Sequence, residues 1–261
     1  MLPAMGARTR SSLTGAREAA KQLVHGSRFE SHARRLAGLV ESGATRRDRR
    51  DNDALRLLLA ATLGSDDSAV DVGANEGRVL QDIVRVAPAG RHIAYEPIPA
   101  LNAQLRARYP DVDIRQAALS DQSGDAEFTH VTSRPGYSGL RERDYPGRET
   151  LERIQVRVER LDDVLPDGFV PTFVKIDVEG AEGAVLAGAI ETIARHRPTI
   201  AFEHGKGAAS AYGTTPADIH RLLVEQAGLR IFDMDGTGPY SRDQLEEAFE
   251  LGTFWNFFAR R

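Results

Sequence analysis

The sequence predicts an α/β fold with an open, mostly parallel sheet and helices on both faces. Short apolar segments alternate with longer segments of helical periodicity, which is the pattern of parallel strands joined by crossover helices. One apolar segment, residues 70–78, runs through a glycine turn into a helix, and several others end in acidic residues. Because the carboxyl ends of parallel strands share one edge of the sheet, these features predict a ligand crevice at that edge.

The predicted elements follow one another in this alternating order. Strands are expected at 69–72, 92–96, 112–116, 126–131, 154–159, 172–177, 199–203, 229–233 and 252–258. Helices are expected at 52–63, 76–87, 99–108, 183–195, 216–227 and 241–249. The aromatic run at 254–258 is most simply a buried last strand.

The glycine turn at residues 70–78 favours a nucleotide-like ligand. Gly73 and Gly77 lack the Cβ atom that would block close approach of a ligand, and Asp71 places a negative charge at the strand end. Asn75 stands where G-x-G-x-x-G has its middle glycine, which argues against a pyrophosphate. An acid before the turn suits a positively charged group, such as the ammonium and sulfonium of S-adenosylmethionine. The alternative is a tight strand-to-helix connection that binds no ligand.

Acidic residues follow two further strands. Glu96 lies about 20 residues beyond the turn, where an acid accepts hydrogen bonds from ribose hydroxyls. Asp177 and Glu179 follow the strand at 172–177, and we expect them to face the same crevice as Asp71 and Glu96. Glu182 is expected instead to cap the helix that follows, because acidic groups are favourable in a first turn.

A carboxylate and an imidazole, Glu203 and His204, follow the next strand together. Histidine is suited to proton transfer near neutral pH, so the candidate catalytic bases are His204, Glu179 and Asp177, in that order. The alternative for His204 is a structural role. A second hypothesis, which we do not favour, is that Asp177 with Glu203 or His204 holds a divalent cation.

A series of motifs carries a family resemblance over residues 50–205. In these motifs the chain resembles the FkbM family of S-adenosylmethionine-dependent methyltransferases. The motifs are residues 70–77 (VDVGANEG), 95–97 (YEP), 117–121 (AALSD), 158–163 (VERLDD), 175–182 (KIDVEGAE), 186–189 (LAGA) and 197–198 (RP), with Glu203 and His204. The resemblance implies a Rossmann-like class I methyltransferase sheet. It also implies O-methyl transfer to a hydroxyl of a sugar or natural product, as in natural-product biosynthesis.

Together with the glycine turn, the resemblance assigns cofactor binding to nine residues. They are Asp71, Gly73, Ala74, Asn75, Gly77, Glu96, Pro97, Gln116 and Ala117. Gln116 would contact adenine, at a position where many relatives have asparagine. A second departure is Arg78, since many relatives follow the turn with an aromatic or small apolar residue. We expect this difference to alter helix packing more than cofactor binding.

Length and composition fit one catalytic domain at residues 51–261 after an extension at 1–50. With 261 residues, of which 41% are hydrophobic, the chain can bury a sizeable core. The absence of cysteine excludes a disulfide framework and a cysteine-zinc site. No apolar run approaches a membrane span, and no signal-peptide core is evident, so we expect a cytoplasmic protein without integral membrane segments.

Residues 1–50 are strongly basic, with 11 Lys and Arg against 4 Asp and Glu. We interpret them as a helical arm, because Leu36, Leu39 and Val40 recur at helical spacing. Arg34 and Arg35 would form the solvent-exposed face of this helix. The alternatives are a targeting peptide and a patch for nucleic acid or anionic membrane. Nucleic acid is disfavoured because the run lacks interleaved aromatic residues. The arm is also compatible with a homo-oligomer.

The stretch at 133–150 is too long for a plain connection and is interpreted as a substrate loop. Tyr137, Arg141, Arg143 and Tyr145 are able to stack on and hydrogen-bond a sugar or polyol, which predicts a small-molecule acceptor. The alternative is a mobile insertion without function.

Three functions from different classes are compatible with these observations. A methyltransferase is favoured by the ordered motifs. A nicotinamide-dependent oxidoreductase is disfavoured by the missing middle glycine. A non-catalytic cofactor-binding or interaction protein would bind S-adenosylmethionine without forming product, and fold analogy alone does not exclude it.

Overall fold

The computed structural model describes residues 43–145, 147–252 and 254–261. The predicted arm residues 34–40 lie outside this part of the chain, so the helical arm and the division at residue 50 stay predictions. Residues 51–261 form one compact unit.

The first half of the described chain alternates between helices and strands. Its elements are α1 (Gly43–Thr62), β1 (Ser68–Val72), α2 (Arg78–Val86), β2 (His92–Tyr95), α3 (Pro99–Arg108), β3 (Asp113–Arg115), β4 (Ala117–Leu119), β5 (Gly124–Val131), β6 (Leu151–Glu159) and α4 (Leu161–Val164). A single 3-10 turn, Pro135–Tyr137, lies between β5 and β6.

The second half continues the alternation. Its elements are β7 (Pro171–Ile176), α5 (Glu182–Ala187), α6 (Ile190–His196), β8 (Thr199–Glu203), α7 (Lys206–Tyr212), α8 (Pro216–His220), β9 (Arg230–Asp233), α9 (Arg242–Leu251) and β10 (Asn256–Arg260). A π-helical turn, Arg221–Gln226, continues α8. Capping boxes begin α8 and α9, where Thr215 with Asp218 and Ser241 with Gln244 exchange side-chain and backbone hydrogen bonds.

Seven strands form the central sheet in the order β3-β2-β1-β7-β8-β10-β9. The pairings of β1, β2, β3, β7 and β8 are parallel, whereas β10 runs antiparallel to both of its neighbours. The order reverses beside β1, which is the switch point where open sheets bind ligands. The predicted open, mostly parallel, Rossmann-like sheet is confirmed.

Strand alternation divides the core between the two faces of this sheet. Val70 and Val72 of β1 pack on one face with residues of α5, α6 and α8. Ala69 packs on the other face with Leu59 of α1 and Ile83 of α2. Helices therefore cover both faces, as predicted. In the described chain, no helix has the length and apolarity needed to span a bilayer.

The structure differs from the predicted elements in several places. The helix expected at 183–195 is split at Gly188, where a Cβ atom would lie 2.0 Å from the backbone oxygen of Ser120. The Asp162 carboxylate then accepts the N–H groups of Glu191 and Thr192, which begins α6 anew. The short strand β4 and helix α7 were not predicted, and β10 begins four residues later than the strand expected at 252–258.

A second sheet of three strands, ordered β4-β6-β5, lies beside the first. Strand β4 pairs parallel with β6, and β5 pairs antiparallel with β6. The segment between β5 and β6, residues 132–150, is the insertion. The extra strands expected at 126–131 and 154–159 are therefore confirmed, and each is two or three residues longer at its start.

Candidate functional site

A cavity of about 320 Å³ lies at the carboxyl ends of β1, β2 and β7. Its size falls in the range of small-molecule sites. Residues from the glycine turn and Glu96 line one side, which we call the turn end. Asp177 and Glu179 line another side, which we call the cluster end. The β4 residues Ala117–Leu119 and the insertion supply further walls.

Six of the nine predicted cofactor residues line this cavity. They are Gly73, Ala74, Asn75, Glu96, Pro97 and Ala117. Asp71, Gly77 and Gln116 do not line it. Gln116 is exposed between β3 and β4, so the structure does not place its side chain on the cavity wall.

The glycines of the turn permit close packing of the chain on itself, which differs from the role we expected. Gly73 has φ 76°, and a Cβ atom there would lie 2.0 Å from the backbone oxygen of Asp177. Gly77 also has φ 76°, and its Cβ atom would lie 2.5 Å from Leu105. The neighbouring N–H groups of Gly73 and Ala74 both donate to the Tyr95 oxygen at 3.0 Å. The turn is thus fixed against β2 by its own backbone.

Asp71 is fully buried beneath the turn and is compensated within the protein. Its Oδ1 lies 3.3 Å from Nζ of Lys175, a residue of β7 directly opposite it in register. The same ammonium donates to the backbone oxygens of Gly73 at 2.6 Å and Val72 at 3.3 Å. The expectation that Asp71 presents a free negative charge to a ligand is therefore replaced by a structural role. Lys175, to which we assigned no role, ties β7 to the turn.

Glu96 closes the turn end with both of its carboxylate oxygens. Oε2 accepts the N–H of Asn75 and Oε1 accepts the N–H of Ile98, each at 2.8 Å. Burial raises the pKa of Glu96, while these hydrogen bonds oppose the rise. Asn75 adopts a left-handed conformation at φ 50°, and its buried Oδ1 has no hydrogen-bond partner among the described residues. An unsatisfied acceptor in a cavity wall is a place for a ligand donor.

Three carboxylates form the carboxylate cluster of the cluster end, namely Asp177, Glu179 and Glu203. One oxygen from each lies within 4.8 Å of the others. Burial, and then the charge of Asp177, raise the pKa of Glu179 to about 8. The same two causes raise the pKa of Glu203 well above its ordinary value. We expected Asp177 and Glu179 to face one crevice with Asp71 and Glu96. The cavity is lined by Asp177, Glu179 and Glu96 but not by Asp71.

Glu182 lies in the first turn of its helix, but its side chain does not cap that helix as we expected. It reaches back instead to the loop before the helix. Its Oε1 accepts the N–H groups of Val178 and Gly180, each at 3.0 Å. Burial raises the pKa of Glu182 to about 7. These bonds hold the loop that carries Glu179, whose φ of 60° is left-handed.

The insertion reaches the cluster end through Arg143. Its Nη2 donates to Oε2 of Glu179, and its guanidinium lies over the rings of Tyr137 and Tyr145. A second arginine, Arg141, lies over the ring of Tyr212 at 5.5 Å. The sequence predicts both arginines as ligand-binding candidates, and it does not predict the ion pair between Arg143 and Glu179.

His204 does not line the cavity. Its ring is stacked on Phe249 with centroids 4.8 Å apart, and the residue is only 1% exposed. Burial lowers the pKa of His204 to about 4. Glu203 and His204 are consecutive residues at a strand end, so their side chains point in opposite directions. This geometry favours the structural alternative for His204. Asp177 and Glu179 line the cavity, whereas Glu203 contacts it only through the cluster.

The fold and the position of the cavity define an open Rossmann-like α/β protein with a crevice at its switch point. Residues 71–231 match the family model described as the methyltransferase FkbM domain, and the chain belongs to this family.

Two relatives and one solved structure illustrate the similarity. The chain is 31% identical over 164 residues to "Methyltransferase sdnD" of Sordaria araneosa, covering 50% of this chain and 63% of that protein. It is 26% identical over 147 residues to "2-O-methyltransferase NoeI" of Sinorhizobium fredii, covering 49% of this chain and 59% of that protein. The crystal structure of Methyltransferase FkbM from Methylobacillus flagellatus KT aligns with a TM-score of 0.49 at 18% identity, covering 76% of this chain and 44% of that chain. The matches thus span less than two thirds of the relatives' lengths.

Proposed function

We propose that this protein transfers a methyl group from S-adenosylmethionine to a hydroxyl oxygen of a small molecule. The observation that carries the proposal is the single cavity that joins the turn end to the cluster end, at the carboxyl ends of β1, β2 and β7. Membership of the methyltransferase FkbM family supports this function. The name of the relative NoeI, a 2-O-methyltransferase, favours oxygen as the accepting atom.

The turn end has the chemistry to hold S-adenosylmethionine. Glu96 accepts two backbone hydrogen bonds and has further lone pairs for ribose hydroxyls. The unsatisfied Oδ1 of Asn75 is an acceptor for an ammonium or hydroxyl group. Ile98, Ala118 and Phe128 supply apolar wall for an adenine ring. When bound, the cofactor supplies a methyl group on a sulfonium sulfur, which is reactive toward an oxygen nucleophile.

The cluster end has the chemistry to take a proton from the acceptor hydroxyl. Glu179 lines the cavity, and its raised pKa of about 8 makes its carboxylate a stronger base than an ordinary glutamate. Asp177 lines the same wall and is the second candidate. We therefore assign proton acceptance to Glu179 first and Asp177 second, with alignment of the two reactants supplying the larger share of catalysis.

We propose a polyhydroxylated acceptor, either a sugar or another natural product. The insertion supports this class because its residues Pro135, Gly136, Ser138 and Leu140 line the cavity. Its Tyr137 and Tyr145 rings do not line the cavity, but they are stacked with centroids 6.5 Å apart and contact Arg143 of the cluster end. Aromatic faces with nearby hydrogen-bonding groups suit molecules that carry both C–H faces and hydroxyls.

The test is transfer of a labelled methyl group from S-adenosylmethionine to a panel of sugars and hydroxylated natural products. The proposal expects label in an acceptor, with an equal amount of S-adenosylhomocysteine formed. Binding of S-adenosylmethionine without product on any acceptor would instead support a non-catalytic cofactor-binding protein. Thermal stabilisation by NAD and none by S-adenosylmethionine would support an oxidoreductase.

A further inference from the structure

The carboxylate cluster has the spacing of a site for one cation. One oxygen each from Asp177, Glu179 and Glu203 lies within 4.8 Å of the others, and carboxylate oxygens are the ligands that Mg²⁺ and Mn²⁺ prefer. Three acids this close together repel one another, so the arrangement requires a positive partner or bound protons.

A cation of the protein already contacts this cluster. Nη2 of Arg143 donates to Oε2 of Glu179, and the Arg143 side chain is only 12% exposed. A second cation is also near, since Nζ of Lys175 lies 3.8 Å from Oδ2 of Asp177. Two cations therefore contact the cluster, one from the insertion and one from the central sheet.

Arg143 is held at this position by two aromatic rings. Its guanidinium carbon lies 5.2 Å from the ring centroid of Tyr137 and 5.7 Å from that of Tyr145. The two rings are stacked at an interplanar angle of 14°. A planar guanidinium that contacts two rings loses less freedom on pairing than an unsupported side chain, because its orientation is already set.

Glu179 is held from the other side. Glu182 fixes the loop through the N–H groups of Val178 and Gly180. Gly180 has φ 110°, and a Cβ atom there would lie 2.4 Å from the backbone oxygen of Ala208. Both partners of the ion pair are therefore positioned independently of each other.

We propose that Arg143 is the resident cation of the carboxylate cluster, in the place that a divalent metal ion would take. A metal ion coordinated by Glu179 would lie against a guanidinium of the same sign, which disfavours its binding. On the proposed function, Arg143 is a positioning residue. It orients the Glu179 carboxylate toward the acceptor and ties the insertion across the cluster end.

The test is titration of the folded protein with Mn²⁺, followed by electron paramagnetic resonance of the free ion, with no cofactor or acceptor present. The wild type and Arg143→Lys are expected to show no saturable site up to millimolar Mn²⁺. Arg143→Ala is expected to gain a site at least tenfold tighter, and adding Glu179→Gln is expected to abolish it. Arg141→Ala, which removes the neighbouring arginine of the same insertion, is the matched control and should gain none.

Two outcomes would overturn the proposal. One is saturable Mn²⁺ binding by the wild type that is lost in Glu203→Gln, because the cluster would then hold a metal beside Arg143. The other is folded Arg143→Ala that gains no site. If Arg143→Ala does not fold, Arg143→Gln provides the neutral variant, and the wild-type titration decides independently of both. The readout needs no catalysis, so failure of methyl transfer would be recognised separately by the labelling assay.

Discussion

The two ends of the cavity are built from different parts of the chain. At the turn end, backbone groups make most of the contacts, since the Gly73 and Ala74 N–H groups bond to β2 and the Asn75 N–H bonds to Glu96. At the cluster end, side chains from distant segments meet, and Arg143 pairs with a residue 36 positions away. A surface made by backbone keeps its shape when side chains change. We therefore expect the turn end to serve one constant ligand, while substitutions at the cluster end and insertion alter the acceptor.

Lys175 connects the two ends. Its ammonium lies 3.3 Å from Asp71 under the turn and 3.8 Å from Asp177 in the cluster. A substitution of Lys175 should disturb both ends through the fold. A substitution of Glu96 should affect only the turn end, and a substitution of Glu179 should affect only the cluster end.

The largest expected effect is on turnover by Glu179→Gln. Losing the proposed proton acceptor should lower kcat about 10²- to 10⁴-fold with any acceptor that the wild type methylates. Glu142→Gln is the matched control, because Glu142 is an exposed glutamate beside Arg143 that pairs with Arg153 outside the cluster. Steady-state kinetics of both variants provide the measurement. Undiminished kcat in Glu179→Gln would remove this residue from the chemistry.

Lys175→Met should have the next largest effect, on the free energy of unfolding. It leaves the fully buried Asp71 carboxylate without its cation, which costs about 3–5 kcal/mol in comparable buried pairs. The double variant Lys175→Met with Asp71→Leu should recover most of that loss, because no buried charge remains. Urea unfolding of the wild type, the single variant and the double variant measures the three free energies of unfolding. A single variant as stable as the wild type would show that the pair does not hold the turn.

The third prediction concerns His204 and pH. The pKa of His204 is about 4 in the fold and near 6.5 when unfolded, so its stabilising contribution is complete above pH 6.5. That contribution is lost as the pH falls toward 4, by about 3 kcal/mol. The stability of the wild type relative to His204→Leu should fall by this amount between pH 7 and pH 4. A pH-independent difference would contradict burial of a neutral imidazole, and His196→Leu controls for loss of a histidine.

The sequence was most informative where structure is local. The glycine turn, the helix Pro99–Arg108 and the strand Thr199–Glu203 were predicted from short patterns, and the structure has the last two at the predicted bounds. The expectation that Asp177 and Glu179 share a crevice with Glu96 came from the geometry of parallel strands, and all three residues line the cavity. Neighbouring strand ends thus suffice to predict which acids share a crevice without knowledge of the loops.

The sequence did not predict contacts between side chains that are far apart in the chain. Nothing in the periodicity of the insertion indicates that Arg143 contacts Glu179, or that Lys175 neutralises Asp71. The orientation of the His204 side chain, by contrast, could have been predicted from the sequence. Side chains alternate along an extended chain, so Glu203 in the cluster implied that His204 points away from it.

The account's central claim is that the turn end binds the cofactor and the cluster end acts on the acceptor. The most direct test is calorimetric titration of S-adenosylhomocysteine into the wild type, Glu96→Gln and Glu179→Gln, with the exposed Asp111→Asn as control. Glu96→Gln should weaken binding at least about tenfold, as expected for lost hydrogen bonds to a charged group, while Glu179→Gln and the control bind like the wild type. Equal weakening in both glutamate variants, or none in Glu96→Gln, would contradict the division between the two ends.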